Sequence, residues 1–142
     1  VEKWIRVKFL VDTNIILEVL LGQQREEEVK EFFREFGDSE FYITDFALHS
    51  IGVILFHEDD QEGFDRFCRD MILTGPLIVI NLPEDGLLEL SNIAEEYNLD
   101  FDDAYQYKTA KKSSLTILTY DSDFEAAPIN SKTPAEILRP AK

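Results

Sequence analysis

Four short, almost wholly apolar runs separate stretches with helical periodicity, and this alternation constrains the chain more than any other feature. The runs are Val7-Lys8-Phe9-Leu10-Val11, Phe41-Tyr42-Ile43, Leu77-Ile78-Val79-Ile80 and Leu115-Thr116-Ile117-Leu118-Thr119-Tyr120. Runs of this length, rich in β-branched and aromatic residues and bounded by turn formers, read as strands. An antiparallel strand with one wet face would alternate polar and apolar residues, and these do not. They read as strands covered on both faces, the habit of parallel sheets.

The intervening segments supply the cover. Ile15 to Leu21 reads as a short helix stopped by Gly22, and Glu26 to Phe36 as a second. In the second, Val29, Phe32, Phe33 and Phe36 form one stripe, and Gly37 is expected as the cap. Thr44 is the expected N-cap of a helix running to about Phe56. Helices are also predicted over Asp59 to Ile72, Glu84 to Tyr97 and Phe101 to Lys112, the last capped by Asp100. Thr133-Pro134-Ala135-Glu136 has the form of a capping box with proline at the first helical position. Strand–helix alternation of this kind predicts an α/β fold: a central parallel sheet covered by helices on both faces. Such sheets bind ligands beyond the C-terminal ends of their strands, where strand order reverses, so the residues just after each strand carry most interest.

Composition narrows the classes. The 142 residues fit one domain, expected over 1–142, with no repeat or linker-like tract. Lys and Arg number 14 against 29 Asp and Glu, a formal net charge of −15. That charge argues against tight, sequence-independent binding to nucleic acid through a basic surface. It leaves a basic protein partner, a cation site built from carboxylates, or solubility. The single cysteine, Cys68, excludes an internal disulfide and any Cys-rich zinc site, and is expected as a half-buried structural thiol. No apolar run approaches the ~20 residues of a membrane span, and no signal-peptide pattern opens the chain, so a cytoplasmic location is expected.

Two strands end in aspartate, Asp12 and Asp121, and a third acidic group, Asp102-Asp103, opens a helix. Taken singly, each has an ordinary structural explanation: helix-opening acids complement the dipole, and Asp123 suits a turn. Converged at one sheet edge, they would repel one another strongly unless a positive charge sat among them. Mg²⁺ or Mn²⁺ suits all-oxygen sites of this kind. Repulsion alone predicts that Asp12→Asn leaves the metal-free protein as stable as before, or more so.

Three segments carry a family resemblance: Phe9-Leu-Val-Asp-Thr-Asn-Ile-Ile-Leu17, Leu99-Asp-Phe-Asp-Asp-Ala-Tyr105 and Ile117-Leu-Thr-Tyr-Asp-Ser-Asp-Phe124. Together, in this order, the chain resembles the PIN-domain nucleases, in particular the small VapC-type toxins. The resemblance spans essentially the whole sequence. It implies a PIN-like α/β/α fold, a metal-dependent endoribonuclease acting on RNA, a homodimer, and a basic antitoxin protein as partner. It implies Asp12, Asp103 and Asp121 as catalytic carboxylates that hold Mg²⁺ or Mn²⁺. Asn14, Thr119 and Asp123 are the implied supporting residues, and Asp102 competes with its neighbour Asp103.

The departure from the family pattern lies in Thr44-Asp-Phe-Ala-Leu-His-Ser, where His49 stands at the position expected to hold a glutamate. Three readings stay open for His49: a nitrogen ligand favouring Mn²⁺, a proton carrier near the reacting groups, or the mark of a PIN domain with a weakened metal site that acts by binding protein or RNA. His57 has no motif context and reads as a helix end or surface residue.

Rival chemistries fare worse. A haloacid-dehalogenase-type phosphatase needs a second aspartate two residues after the first, and Asn14 stands there. No glycine-rich phosphate loop or nucleophile elbow follows any strand. Lys108, Lys111 and Lys112, with Tyr105 and Tyr107, could offer cationic and stacking contacts to RNA, but a solvated helix end is the simpler account.

Overall fold

The computed structural model describes residues 7–140. The outermost residues of the expected 1–142 domain, 1–6 and 141–142, lie outside them. Among the described residues the sheet has five strands, all parallel, in the order β3-β2-β1-β4-β5. They are β1 (Lys8–Val11), β2 (Glu40–Thr44), β3 (Leu77–Ile80), β4 (Thr116–Leu118) and β5 (Ser131–Lys132). Leu10 lies opposite Tyr42 on one side and Ile117 on the other, so β1 is central.

The two-residue period of a strand sorts the side chains onto two covered faces. Phe9, Val11, Phe41, Ile43 and Leu118 point to one face. There they meet α1 (Thr13–Leu20), α2 (Glu26–Glu35), α3 (Asp45–His57) and α4 (Gln61–Phe67) through Ile15, Phe32, Ile51 and Phe67. Phe9 stacks on Phe41 and meets Phe32 edge-on, with ring centroids 5.7 and 5.3 Å apart. Leu10 and Ile117 point to the other face, against α5 (Leu90–Tyr97) and α6 (Phe101–Ser113). A last helix, α7 (Pro134–Leu138), opens with the predicted capping box: Thr133 Oγ1 accepts from the Glu136 amide at 3.1 Å, and Glu136 accepts from the Thr133 amide at 2.8 Å. This is the expected three-layer α/β/α sandwich.

Several local readings need correction. Strand β5 has no counterpart among the apolar runs: Ser131 and Lys132 join the sheet only by pairing with Ile117 and Leu118. The helix expected over 59–72 is α only to Phe67, and Cys68–Leu73 is wound as a π-helix. The helix expected from Glu84 starts as a 3-10 segment, Glu84–Glu89, before α5. Gly22 has the left-handed φ of +60° that ends α1, but Gly37 plays no such part: Phe36 caps α2 with φ −109°. Most of the apolar surplus in 44–72 is core, as Ala47, Ile51, Leu55 and Phe67 show, while Val53 is 70% exposed and Phe56 is also exposed. Cys68 is half-buried, and burial raises its thiol pKa, as suits an inert structural thiol. No helix among the described residues is long and apolar enough to cross a membrane.

Candidate metal centre

The order β3-β2-β1-β4-β5 turns back on itself between β1 and β4. A pocket of about 370 Å³ opens at the C-terminal ends of those strands and of β2, where this topology is expected to bind ligands. Its lining includes Asp12, Asn14, Thr44, Asp103, Gln106 and Asp121, with Asp100 and Asp102 also contributing. Residues 12, 103 and 121, far apart in sequence, thus meet in one cavity.

Asp12 is the first residue after β1 and the N-cap of α1. Its backbone amide still joins the sheet, donating to the Leu118 carbonyl at 3.0 Å. The residue is 8% exposed, and both carboxylate oxygens are engaged. Oδ1 accepts from the Thr13 amide at 2.7 Å and from Gln106 Nε2 at 3.0 Å. Oδ2 accepts from Thr119 Oγ1 at 2.7 Å and from Asn14 Nδ2 at 3.3 Å. Burial raises the Asp12 pKa, and the hydrogen bonds from Thr119, Gln106 and Thr13 work against that rise.

The other acids have no such escort. Asp103, in the first turn of α6, is 7% exposed. One oxygen from each of Asp103, Asp121 and Asp123 lies within 4.8 Å of the others. Burial first, then the charge of Asp100 and the proximity of Asp123 and Asp121, push the Asp103 carboxyl up to about 8. Asp121, half-buried, is raised as well, chiefly by burial. Its Oδ1 accepts from the Asp123 amide at 3.0 Å in the turn after β4. A divalent cation placed among these oxygens would relieve the repulsion that raises Asp103 and Asp121. The donors are hard carboxylate oxygens, and the spacing suits one ion shared among them. This set fits Mg²⁺ or Mn²⁺.

Each expected residue now has a place. Thr119 bridges the two halves of the site: its hydroxyl donates to Asp12 and accepts from the Asp121 amide at 2.9 Å. Asn14 supports both, and its Oδ1 accepts from the Tyr120 amide at 3.2 Å. Asp102 is exposed at the pocket rim, while Asp103 lies inside the acidic group. His49 is exposed and does not line the pocket; its neighbour Ser50 does. The α3 wall, made of Thr44, Phe46, Ala47, Ser50 and Ile54, therefore brings no acid and no histidine. His57 ends α3 and is exposed. Tyr105 and Tyr107 are buried and have no face to offer RNA; Lys108 pairs with Glu89, and Lys111 donates to the Pro128 carbonyl.

Gln106 and Asp100 were missed as site residues. Both stand three residues from Asp103, and the helical repeat puts such positions on one face. That was the available signal. Asp100 hid behind its capping role, accepting from the Asp103 amide at 2.9 Å.

Comparison with known proteins agrees with this fold. No curated protein sequence matches the chain. Among solved structures, a toxin–antitoxin complex from Klebsiella pneumoniae is similar, with 23% identity, a TM-score of 0.68, and coverage of 90% of this chain and 97% of that one. VapC20 of Mycobacterium tuberculosis, described as a sarcin-ricin loop cleaving toxin, is 16% identical with a TM-score of 0.72, covering 86% of this chain and 95% of that one. VapBC2 of Rickettsia felis, bound to a DNA fragment from its promoter, is 13% identical with a TM-score of 0.72, covering 89% of this chain and 98% of that one. At such identities these likenesses speak for the fold. The family described as PIN domain matches residues 9–130, and on that match the chain belongs to the PIN-domain family.

Proposed function

We propose that this chain is a divalent-metal-dependent nuclease that hydrolyses RNA phosphodiester bonds, acting as the toxin of a toxin–antitoxin pair. The observation that carries the reading is the convergence of Asp103, Asp121 and Asp123 on one point, with Asp12 held in the same pocket at the sheet's switch point. Asp12, Asp103 and Asp121 would hold the ion, with Asp123 beside them. Bound Mg²⁺ or Mn²⁺ supplies charge stabilisation at phosphate oxygens and a water of lowered pKa.

The chain's own residues do the rest. Four donors fix the Asp12 carboxylate, so it meets a ligand in one orientation. Thr119 ties the Asp12 carboxylate to the Asp121 backbone amide. The acids alone repel a phosphodiester, which makes substrate approach conditional on the cation. Toxin–antitoxin complexes among similar folds, together with the net charge of −15, support a basic antitoxin as partner. Exposed Val53, Phe56 and Ile78 offer apolar area that a second copy would cover in a homodimer. The reading places the protein in the cytoplasm, as one domain.

One observation favours a second reading, a PIN domain that binds without cleaving: the α3 wall contributes Ser50 and no acid. Cleavage of labelled single-stranded RNA with Mn²⁺ present decides between them. The nuclease reading expects cleavage that EDTA abolishes and that Asp121→Asn lowers on the order of 10²–10³-fold, the loss of a few kcal/mol of transition-state stabilisation. Cleavage indifferent to both would overturn it. An inactive native chain that gains activity with Ser50→Glu would establish the second reading.

A further inference from the structure

Gln106 is 6% exposed, lines the acidic pocket, and divides its carboxamide unequally. Nε2 donates to Asp12 Oδ1 at 3.0 Å, while Oε1 is buried with no hydrogen-bond partner. An unpaired buried acceptor is costly, and a native protein keeps one for a reason such as a role at a ligand site.

Asp12 presents the complementary problem. A carboxylate has about four acceptor sites, and here four protein donors occupy them. A cation that takes Asp12 must displace a donor. On Oδ1 the choices are the Thr13 amide, locked by the start of α1, and Gln106 Nε2, on a side chain that can turn. Turning a carboxamide over exchanges its nitrogen and oxygen with almost no change of shape. We propose that Gln106 is an exchangeable partner of Asp12: its N–H stands in for the cation in the metal-free protein, and on cation binding the amide turns over, releasing Asp12 Oδ1 and presenting Oε1 to the ion or to a water on it. Gln106 is a positioning residue in this scheme. The inference rests on the reading that the pocket takes a divalent cation.

Two measurements test it without reference to activity. The side-chain amide signals of Gln106, identified by their absence from the spectrum of Gln106→Leu, should shift in a Mg²⁺ titration; signals that stay in place while Mg²⁺ binds overturn the proposal. Calorimetric Mn²⁺ titrations give the second readout. Gln106→Leu should bind about tenfold more weakly, the usual scale for a residue that orients a ligand. If Gln106 only competes with the ion for Asp12, the same variant binds as tightly as the native chain or tighter, and the proposal fails. Gln106→Glu keeps the oxygen and loses the N–H, so it should bind Mn²⁺ at least as well as the native chain. Weaker binding there reduces Gln106 to a structural clamp. A native chain that binds no Mn²⁺ at millimolar concentration overturns the metal-site reading along with this one, whereas native binding with an unaffected Gln106→Leu overturns this inference alone.

Discussion

Asp12 and Asp103 are the same functional group, almost equally buried, in the same pocket, and their surroundings are opposite. Asp12 is ringed by donors: the Thr13 amide, Asn14, Gln106 and Thr119. Asp103 is ringed by acids: Asp100, Asp121 and Asp123. One half of the site is finished by the polypeptide itself. The other waits for a proton or a cation. A site built this way gains geometric definition from its first half and cation affinity from its second, because a preformed but unpaired charge cluster is what an incoming ion relieves most.

The largest expected effect tests the finished half. Asp12→Ala removes the N-cap acceptor of α1 and leaves the Gln106 amide and the Thr119 hydroxyl without their acceptor. A lost cap costs about 0.5–2 kcal/mol and an orphaned buried group about 1–3. Relief of the carboxylate's own burial cost offsets part of this. A net loss of about 2–3 kcal/mol should lower the melting temperature of the metal-free protein by roughly 5–10 °C. Thermal unfolding in EDTA checks it. An unchanged midpoint would mean that Asp12 belongs with the repelled acids, as the sequence-based expectation for this residue has it.

Asp103→Asn should act in the opposite direction. The Asp103 carboxyl is pushed up to about 8 from its ordinary value of 3.8, so between those values the folded state holds a proton that the unfolded state has released. Stability then falls as pH rises across that window and levels off above it. The metal-free native protein should melt progressively lower from pH 5 to pH 8. The variant, which carries a permanent neutral isostere, should show a flatter profile and a midpoint on the order of 5 °C higher at pH 8. Mn²⁺ added to the native chain at pH 8 should restore its midpoint, since an ion that binds only the folded state stabilises it. Parallel profiles for the two proteins would remove the contrast.

The contrast also separates what was legible in the sequence from what was not. Covered strands show as unbroken apolar runs, so β1 to β4 and the layer order could be read directly. Strand β5 could not, because Ser131 and Lys132 owe their conformation to β4. The acids were legible by position, at strand ends and a helix start, and the structure brings 12, 103 and 121 together. Their environments were not legible. Whether an aspartate is met by donors or by other acids depends on side chains brought in from distant segments, and Gln106 lies 94 residues from its partner. The helix face at the pocket was misjudged by one residue: α3 turns about 100° per position, which suffices to put Ser50 on the wall and His49 outside.

Two smaller effects sharpen the comparison by testing the seam between the halves. Thr119 Oγ1 donates to Asp12 at 2.7 Å and accepts from the Asp121 amide at 2.9 Å. Thr119→Val keeps the β-branched shape and deletes the hydroxyl, which should cost about 1–2 kcal/mol, or roughly 3–6 °C. If Thr119 serves mainly the donor ring, Asp12→Ala should make its loss nearly silent, and a double-mutant cycle should show strong coupling there and weak coupling to Asp121→Asn. Asn14→Ala should cost least, below about 1 kcal/mol, because its contacts to Asp12, Thr119 and the Tyr120 amide are all long, at 3.2–3.3 Å. A larger penalty for Asn14 than for Thr119 would shift the fixed point of the site from the short hydroxyl bridge to the start of α1, and with it the account of why Asp12 needs no ion to hold its place.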